Sequence, residues 1–314
     1  MDNPKQHIKL YLLMLLVPMF WGAAFGAAKH VLTEIPPILA ATIRFGLAGF
    51  ILLVIVLVRK QWKFNVLRRR WLGLLLMSIT GIFGYNALFF TALNYTSAIN
   101  GSLIMATSPV FITIGAVLLF QEDWNRRVGI GLVLSFVGVL VVILKGSFHT
   151  LVTLSFNIGD LMFLGGLLCW VAHGLLGKVV MKGVSPLFTT TITTLTGTFF
   201  LFIWSIFEGG WSEVVNMSMQ SWGEMTFMVI FSTVIAFLLW NTGIHQIGAS
   251  KAGIYMNLVP INATWIALVF YDSSITWQQI IGMCMVIVGV YFTTVMNKKR
   301  KTNLEDVEWK QKAI

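Results

Sequence analysis

The sequence predicts an all-α integral membrane protein with ten transmembrane helices in two inverted five-helix repeats. Three observations support this fold class: an apolar composition, ten stretches long enough to cross a bilayer, and an internal repeat. Of the 314 residues, 57% are hydrophobic and 11% are charged, and the mean hydropathy is +0.82. Soluble domains carry about 25% charged residues, so this chain has too few charges to cover a surface that faces water.

Ten segments have the length and composition of membrane spans, because a spanning helix needs about 20 mainly apolar residues. The linkers between them are short, so we expect no inserted soluble domain. The fourth segment is the weakest, because its start is polar. The expected spans are residues 11–29, 37–58, 71–93, 97–120, 127–145, 158–178, 186–207, 223–245, 250–271 and 276–296.

The basic residues predict the orientation in the membrane rather than nucleic-acid binding, although the net charge is +10. They occur in short runs between apolar stretches, as at residues 68–70 and 298–301. Lys and Arg collect on the cytoplasmic side of membrane proteins. With ten spans and both termini in the cytoplasm, only Lys29 and Lys145 fall on the other side. We therefore expect a multi-pass protein of the cell membrane with cytoplasmic N- and C-termini.

The two halves of the chain repeat each other. A shift of 151 residues superposes the fourth and fifth spans on the ninth and tenth, and a shift of 149 relates the first span to the sixth. Because each repeat has an odd number of spans, the second copy enters the membrane from the opposite side, as in alternating-access carriers. The predicted units are residues 1–148, residues 149–296 and a cytoplasmic tail at 297–314. The superposed pairs include Trp21 with Trp170, Pro37 with Pro186, Met105 with Met256, Pro109 with Pro260, Gly131 with Gly282, and Gly138 with Gly289.

Short motifs in a fixed order resemble the EamA branch of the drug/metabolite transporter superfamily over nearly the whole chain. They include residues 21–25 (WGAAF), 41–45 (ATIRF), 119–122 (LFQE), 248–252 (GASKA) and 258–260 (LVP). The resemblance implies a carrier for amino acids or other small metabolites, often an exporter. It also implies that the first, third, fourth, sixth, eighth and ninth spans face one another. One departure is Ser273, which stands where the second copy often repeats the acidic Glu122.

Arg44 is the only Lys, Arg, Asp or Glu clearly inside an expected span. A charge at mid-membrane costs about 2.5–3.5 kcal/mol on insertion scales. One interpretation is a contact with the anionic group of a substrate in the translocation path. The other is that the long side chain reaches the outer interface or ties helix carbonyls together.

His173 is the one imidazole expected near mid-membrane, where it is either a proton relay, a substrate contact or a hydrogen-bonded packing residue. Asp and Glu are absent from the centres of the expected spans. Small multidrug antiporters need a buried carboxylate, so that class is disfavoured. A small polar or zwitterionic substrate is expected instead of a lipophilic cation.

Two aromatic and amide sets are further candidates for a substrate cavity. Trp21 and Trp170 are repeat-related and either wall the cavity or pack against the facing half. Amides near mid-membrane either bind adjacent helices together or line a wet cavity. The candidates of this second set are Tyr85, Asn86, Tyr255 and Asn257.

Pro109 and Pro260 fall in the middle of the fourth and ninth expected spans. Each removes a backbone hydrogen bond and frees a carbonyl. They are therefore expected either as static kinks or as flexing points, and the two roles are compatible.

The sequence predicts a transporter and not an enzyme. GxxxxGK[ST] and HExxH motifs are absent from it, and so are paired carboxylates inside the expected spans. The preferred function is secondary transport, in the export direction, of small polar metabolites such as amino acids. The alternatives are a channel or a membrane protein that does not transport. The expected partners are a small-molecule substrate and the lipid bilayer, with no nucleic acid, metal or cofactor; a homodimer is left open.

Overall fold

The protein is all-helical in the part of the chain that the structure describes, so the expected all-α class is confirmed there. The structure is a computed structural model. It describes residues 4–96, 101, 104, 105, 107–120, 126–144, 157–262, 265 and 276–294.

Fifteen α- and π-helical elements and two 3₁₀ turns make up this part of the chain. In the first half they are α1 (Pro4–Met14), α2 (Leu16–Val31), α3 (Pro37–Val58), α4 (Phe64–Met77), the π-helix π1 (Ser78–Gly84), α5 (Tyr85–Ala92), α6 (Ser108–Phe120) and α7 (Arg126–Leu144). In the second half they are α8 (Ile158–Val180), α9 (Pro186–Glu208), a 3₁₀ turn (Glu213–Asn216), α10 (Met219–Phe227), the π-helix π2 (Met228–Ile235), α11 (Ala236–Ile247), α12 (Ala249–Gly253), a 3₁₀ turn (Ile254–Leu258) and α13 (Trp277–Thr294).

Six continuous helical segments are long and apolar enough to cross a membrane, and they coincide with the first, second, third, sixth, seventh and eighth expected spans. The other four expected spans contain shorter described helices, and parts of the fourth and ninth lie outside the described residues. The count of ten therefore stays a prediction. The six are Ile8–Val31, Pro37–Val58, Phe64–Ala92, Ile158–Val180, Pro186–Glu208 and Met219–Ile247.

Proline begins the second and seventh spans at repeat-related positions. Pro37 and Pro186 each occupy the first turn of their helix, where a fixed φ favours the helix and the missing N–H removes no bond. The two helices are antiparallel, so the start of α3 lies beside the end of α9. The carboxylate of Glu208, at the end of α9, accepts hydrogen bonds from the backbone N–H groups of Ile38 and Leu39 at 3.1 and 2.8 Å. This contact caps α3 and fixes the register of the pair.

π-helix interrupts the third and eighth spans at equivalent places. π1 begins at Ser78 and π2 at Met228, 150 residues later, so they correspond to within one residue under the repeat shifts of 149 and 151. A π-helix bonds each N–H to the fifth preceding carbonyl; it is rare, and where it occurs it is frequently at a functional site. Its wider turn leaves local carbonyl oxygens free to accept other donors, and both segments use this property near the molecular centre.

The fifth and tenth spans, α7 and α13, contact each other through glycine. A Cβ on Gly138 would overlap the carbonyl oxygen of Gly282, and one on Gly289 would overlap that of Gly131. These are the same two repeat-related pairs, exchanged across the contact. Small residues allow this close backbone approach between helices in lipid.

The outer surface of the bundle is apolar. Phe50, Leu118 and Phe207 have 65%, 74% and 84% of their surface exposed. Soluble proteins rarely expose contiguous apolar area on this scale. The surface therefore fits a lipid environment.

Candidate substrate cavity

A cavity lies between the two halves, near the middle of the six long helical segments. Its volume is 60 Å³, which is room for about four to six water molecules at 10–15 Å³ each. Its walls come from α2, α3, α5, α8 and α11 and from the fourth and ninth expected spans. The lining residues are Trp21, Ala24, Phe25, Arg44, Tyr85, Asn86, Phe89, Met105, Trp170, Phe237, Met256, Val259 and Pro260.

Tryptophan rings from both repeats form one wall. The rings of Trp21 and Trp170 meet edge to face, with centroids 5.2 Å apart. Trp240 packs against both, at 5.4 and 5.2 Å, and is itself fully buried. Edge-to-face and offset aromatic pairs at these distances stabilise a fixed arrangement. The structure thus joins the repeat-related tryptophans and adds Trp240, which packs against both without lining the cavity and which sequence analysis missed.

Arg44 is buried beside the cavity with 6% of its surface exposed. Its Nε donates to Thr233 Oγ1 at 2.8 Å, and one terminal nitrogen lies 3.4 Å from the Ser232 carbonyl oxygen. Among the described residues no carboxylate pairs with it. Two neutral acceptors do not neutralise a buried cation. The positive charge is therefore available to an anion in the cavity.

The π-helix π2 supplies the acceptors on the far side of Arg44. The carbonyl oxygen of Ser232 also accepts a hydrogen bond of 2.8 Å from Trp21 Nε1, while the Ser232 hydroxyl donates to Phe20 O at 2.8 Å. The Thr233 hydroxyl donates to Met228 O at 3.0 Å, which leaves its oxygen as an acceptor for Arg44. Sequence analysis missed both residues, although an adjacent Ser-Thr pair in an apolar span is a signal that could have found them.

Tyr85 and Asn86 add polar atoms to the opposite side of the cavity. The Asn86 amide nitrogen donates within its own helix, to Ile82 O at 2.9 Å and Gly81 O at 3.3 Å. Its oxygen receives no hydrogen bond from the residues the structure describes. The Tyr85 ring packs on Trp170 at 5.1 Å, and Tyr85 lies within electrostatic range of Arg44. The cavity thus combines one cation, a phenol and an amide with aromatic walls.

Three predicted site residues do not line the cavity. His173 lies behind Trp170 and bonds Met77 O. Tyr255 donates to Tyr11 O at 3.1 Å, and Asn257 donates to Ser135 Oγ at 2.8 Å. All three polar groups connect helices, as the alternative interpretation of buried polar residues expects. A direct substrate role for them stays a prediction without support from this arrangement.

The two repeat-related prolines occupy different surroundings. Pro109 is buried in the first turn of α6, directly after a turn at Thr107. Pro260 lines the cavity and follows the 3₁₀ turn Ile254–Leu258. Both mark a change of helix geometry, so a kink at each place agrees with the structure. Flexing during transport stays a prediction.

Several lining residues are apolar and carried no distinctive sequence signal. Phe25, Phe89 and Phe237 contact the other rings around the cavity, but they sit among many phenylalanines. Ala24 lies one helical turn from Trp21 and leaves the space that a larger residue would fill.

Comparison with known proteins identifies the family. The model of the EamA-like transporter family matches residues 8–144 and again residues 157–295. The chain belongs to the EamA-like transporter family. The double match of this EamA model agrees with the internal repeat. An EamA relative in Bacillus subtilis (strain 168), the uncharacterized transporter YyaM, is 36% identical over 301 residues, which are 96% of this chain and 98% of the relative.

More distant EamA relatives and a solved structure extend the comparison. An uncharacterized transporter of Archaeoglobus fulgidus is 28% identical over 295 residues, 93% of this chain and 98% of its own length. A crystal structure at 18% identity has a TM-score of 0.76 and covers 92% of this chain and 98% of its own; at that identity it supports the fold alone. The family match and the relatives named as transporters, together with the six apolar helices, identify the chain as a multi-pass membrane transporter.

Proposed function

We propose that the chain is a secondary carrier that exports small polar metabolites such as amino acids, by alternating access between its two halves. Arg44 is the observation that supports this most. A buried guanidinium that pairs with no carboxylate among the described residues is suited to bind the carboxylate of a substrate through charge-assisted hydrogen bonds. Export as the direction follows from the family resemblance.

The rest of the cavity supports a zwitterion over a lipophilic cation. The lining residues that the structure describes include no Asp or Glu, so none of them neutralises a permanent organic cation. A primary ammonium can instead donate to the free oxygen of Asn86 and to the Tyr85 hydroxyl. It can also approach the ring of Phe89, which lines the cavity, where cation–π attraction applies. Space for about four to six water molecules suits a small amino acid in this conformation.

The closed aromatic wall supports a carrier over a channel. Trp21, Trp170 and Trp240 are in mutual contact and at most 8% exposed, so this part of the centre holds no continuous water path. Opening to either side then requires the two halves to move. The π-helices and the kinks beside Pro109 and Pro260 are the places where the backbone departs from α-helix and can adapt.

The test is uptake into proteoliposomes with a panel of radiolabelled amino acids and small carboxylates. A carrier shows saturable uptake and counterflow, in which unlabelled internal substrate accelerates entry of labelled substrate. Arg44→Gln should abolish both, whereas Arg59→Gln, a matched loss of charge at an exposed position just after α3, should leave both unchanged. Non-saturating flux without counterflow would indicate a channel. Equal activity of the two variants would remove Arg44 from the substrate site.

A further inference from the structure

His173 lies in a fitted site of its own behind the cavity wall. It is fully buried, and its ring stacks on Trp170 with centroids 5.8 Å apart and planes 21° apart. The other side of the ring contacts π1 at Gly81, where a Cβ would overlap the imidazole. The missing side chain at residue 81 therefore makes room for the ring between Trp170 and π1.

One ring nitrogen has a defined role. Nδ1 of His173 lies 3.1 Å from the carbonyl oxygen of Met77. A carbonyl only accepts hydrogen bonds, so Nδ1 carries the proton in this contact. In the neutral ring Nε2 is then an acceptor. Among the described residues Nε2 has no hydrogen-bond partner, although it is completely buried.

The side-chain amide of Asn241 provides a second hydrogen-bond acceptor beside His173. The Thr190 hydroxyl donates to Pro186 O at 2.8 Å, so its oxygen is free only to accept, and Asn241 Nδ2 donates to it at 2.8 Å. That chain fixes the orientation of the Asn241 amide. Its Oδ1 is buried without a partner in the described part of the chain, and the amide lies beside the His173 ring. Nε2 of His173 and Oδ1 of Asn241 are thus two buried acceptors on neighbouring side chains, and neither receives a hydrogen bond in the described part of the chain.

Unpartnered buried acceptors are costly, and a single proton would satisfy both. We propose that Nε2 of His173 is a proton-binding site that gains and loses one proton in each transport cycle. The proton comes from water and returns to water; when bound, it converts the ring to an imidazolium that donates to Met77 O and to Asn241 Oδ1. This proposal rests on the carrier function proposed above, because it names the ion to which transport is coupled.

The charged groups on the surrounding helices act elsewhere. Arg70 of α4 donates to the carbonyls of Val179 and Val180 at the end of α8, and Lys178 lies over the Phe120 ring of α6. Tyr85 of α5 contacts Trp170. His245 of α11 and Lys251 of α12 sit at the span ends. In the described structure only Met77 O and Asn241 act on the imidazole as polar partners, and the face of Trp170 offers cation–π attraction to a protonated ring.

Protonation would change how three helices are joined. His173 belongs to α8, Met77 lies at the junction with π1 of the first half, and Asn241 belongs to α11 of the second half. The bond to Met77 exists in either protonation state. The bond to Asn241 exists only with the proton, so loss of the proton removes this hydrogen bond between α8 and α11 directly behind the cavity wall, where the ring contact of Trp170 with Trp240 remains. The site thereby connects proton release with movement next to Trp170.

Nitrogen-15 magnetic resonance of labelled histidine in proteoliposomes tests the site without any substrate. We expect one imidazole signal, absent from His173→Gln and present in the matched variant His245→Gln, to pass from one protonated nitrogen to two between about pH 8 and about pH 5. Asn241→Leu removes the acceptor of the added proton, so the midpoint should fall by about one pH unit or more. A His173 signal that stays neutral throughout, or a midpoint unmoved by Asn241→Leu, overturns the proposal.

Transport measurements then separate this proposal from the carrier function. In His173→Gln a pH gradient should no longer drive accumulation of the substrate, while counterflow at equal pH persists. Accumulation that still follows the pH gradient in His173→Gln overturns the coupling role. Absence of counterflow in the wild-type protein for every solute tested would contradict the carrier function, and the resonance titration would still decide whether His173 binds a proton.

Discussion

Replacing Arg44 by Met separates a structural role of the arginine from a substrate-binding role. Methionine keeps an unbranched stem of similar length and removes the charge. The Thr233 hydroxyl keeps its own donor bond to Met228 O, so the change strands no donor. The substitution therefore isolates the charge and its hydrogen bonds.

The effect on stability is the difference between two terms of similar size. Removing a mid-span arginine relieves about 2.5–3.5 kcal/mol on insertion scales. Losing the 2.8 Å bond to Thr233 costs about 1.5–3 kcal/mol, the range for hydrogen bonds to charged groups. The 3.4 Å contact with Ser232 O is long and contributes little. The net change in the free energy of unfolding should stay within about 1 kcal/mol.

The effect on binding should be much larger. Leaving the carboxylate of a bound substrate without its buried cationic partner costs about 2–5 kcal/mol, which is at least about 30-fold in affinity. Thermal unfolding in nanodiscs without substrate measures the first quantity, and binding of a radiolabelled substrate measures the second. Arg59→Met serves as the exposed control. Marked destabilisation of Arg44→Met, with affinity per folded molecule unchanged, would assign Arg44 to helix packing.

Three further predictions concern the loops, the topology and the cavity. The Ser221 hydroxyl, and after it Ser218, donate hydrogen bonds to the Glu34 carboxylate and lower its pKa from 4.5. The contact between Glu34 and the start of α10 is therefore complete above pH 4.5. It is lost as the pH falls through the lowered pKa. Glu34→Gln should therefore lower the melting temperature at neutral pH, and the difference from wild type should vanish in acid; a difference that is independent of pH would contradict the contact. Single cysteines should be labelled from the cytoplasm at residues 59–70 and 297–314 and from outside at 208–222, and labelling of the first two regions from opposite sides would rule out ten spans. The variant Asn86→Cys should react with a small hydrophilic thiol reagent, and substrate should protect it. Asn257 bonds Ser135 away from the cavity, so the variant Asn257→Cys should not react. The reverse pattern would contradict the assigned position of the cavity.

Two helix starts could be predicted from the sequence, because proline favours the first turn of a helix. The internal repeat could be predicted because the same residue types recur at a constant spacing. Pro37 and Pro186 begin their helices at the expected residues. The third span is longer than expected, because α4 begins at Phe64 and runs past a kink at Arg70 through residues that are too polar to count as membrane core. The inner end of a span in a polar interface leaves no hydropathy signal.

The cavity was predictable only in part. Arg44, Tyr85 and Asn86 are candidates because polar residues are rare at this depth, and Trp21 and Trp170 because they are repeat-related; the structure brings all five together. The two π-helices follow from packing between helices, and an apolar sequence does not show a change of hydrogen-bond register. The rarity of a residue type in a span does not show where its side chain points. The sequence therefore did not reveal that the ring of Trp170 lies between His173 and the cavity.

The two halves have the same arrangement of helices but differ in the charge of one pair of repeat-equivalent residues. The shift of 149 residues that superposes Pro37 on Pro186 makes Thr193 the repeat equivalent of Arg44. Thr193 donates only to carbonyls of its own helix, Thr189 O and Thr190 O, whereas Arg44 joins α3 to π2. In the alternating access proposed above, the hydrogen bonds of Arg44 have no repeat-related counterpart, so the states that face the two sides of the membrane would differ in free energy. Detailed balance would leave the final substrate gradient unaffected, but the half-saturating concentration of substrate would differ between the two faces, and one of the two states would be preferred at rest.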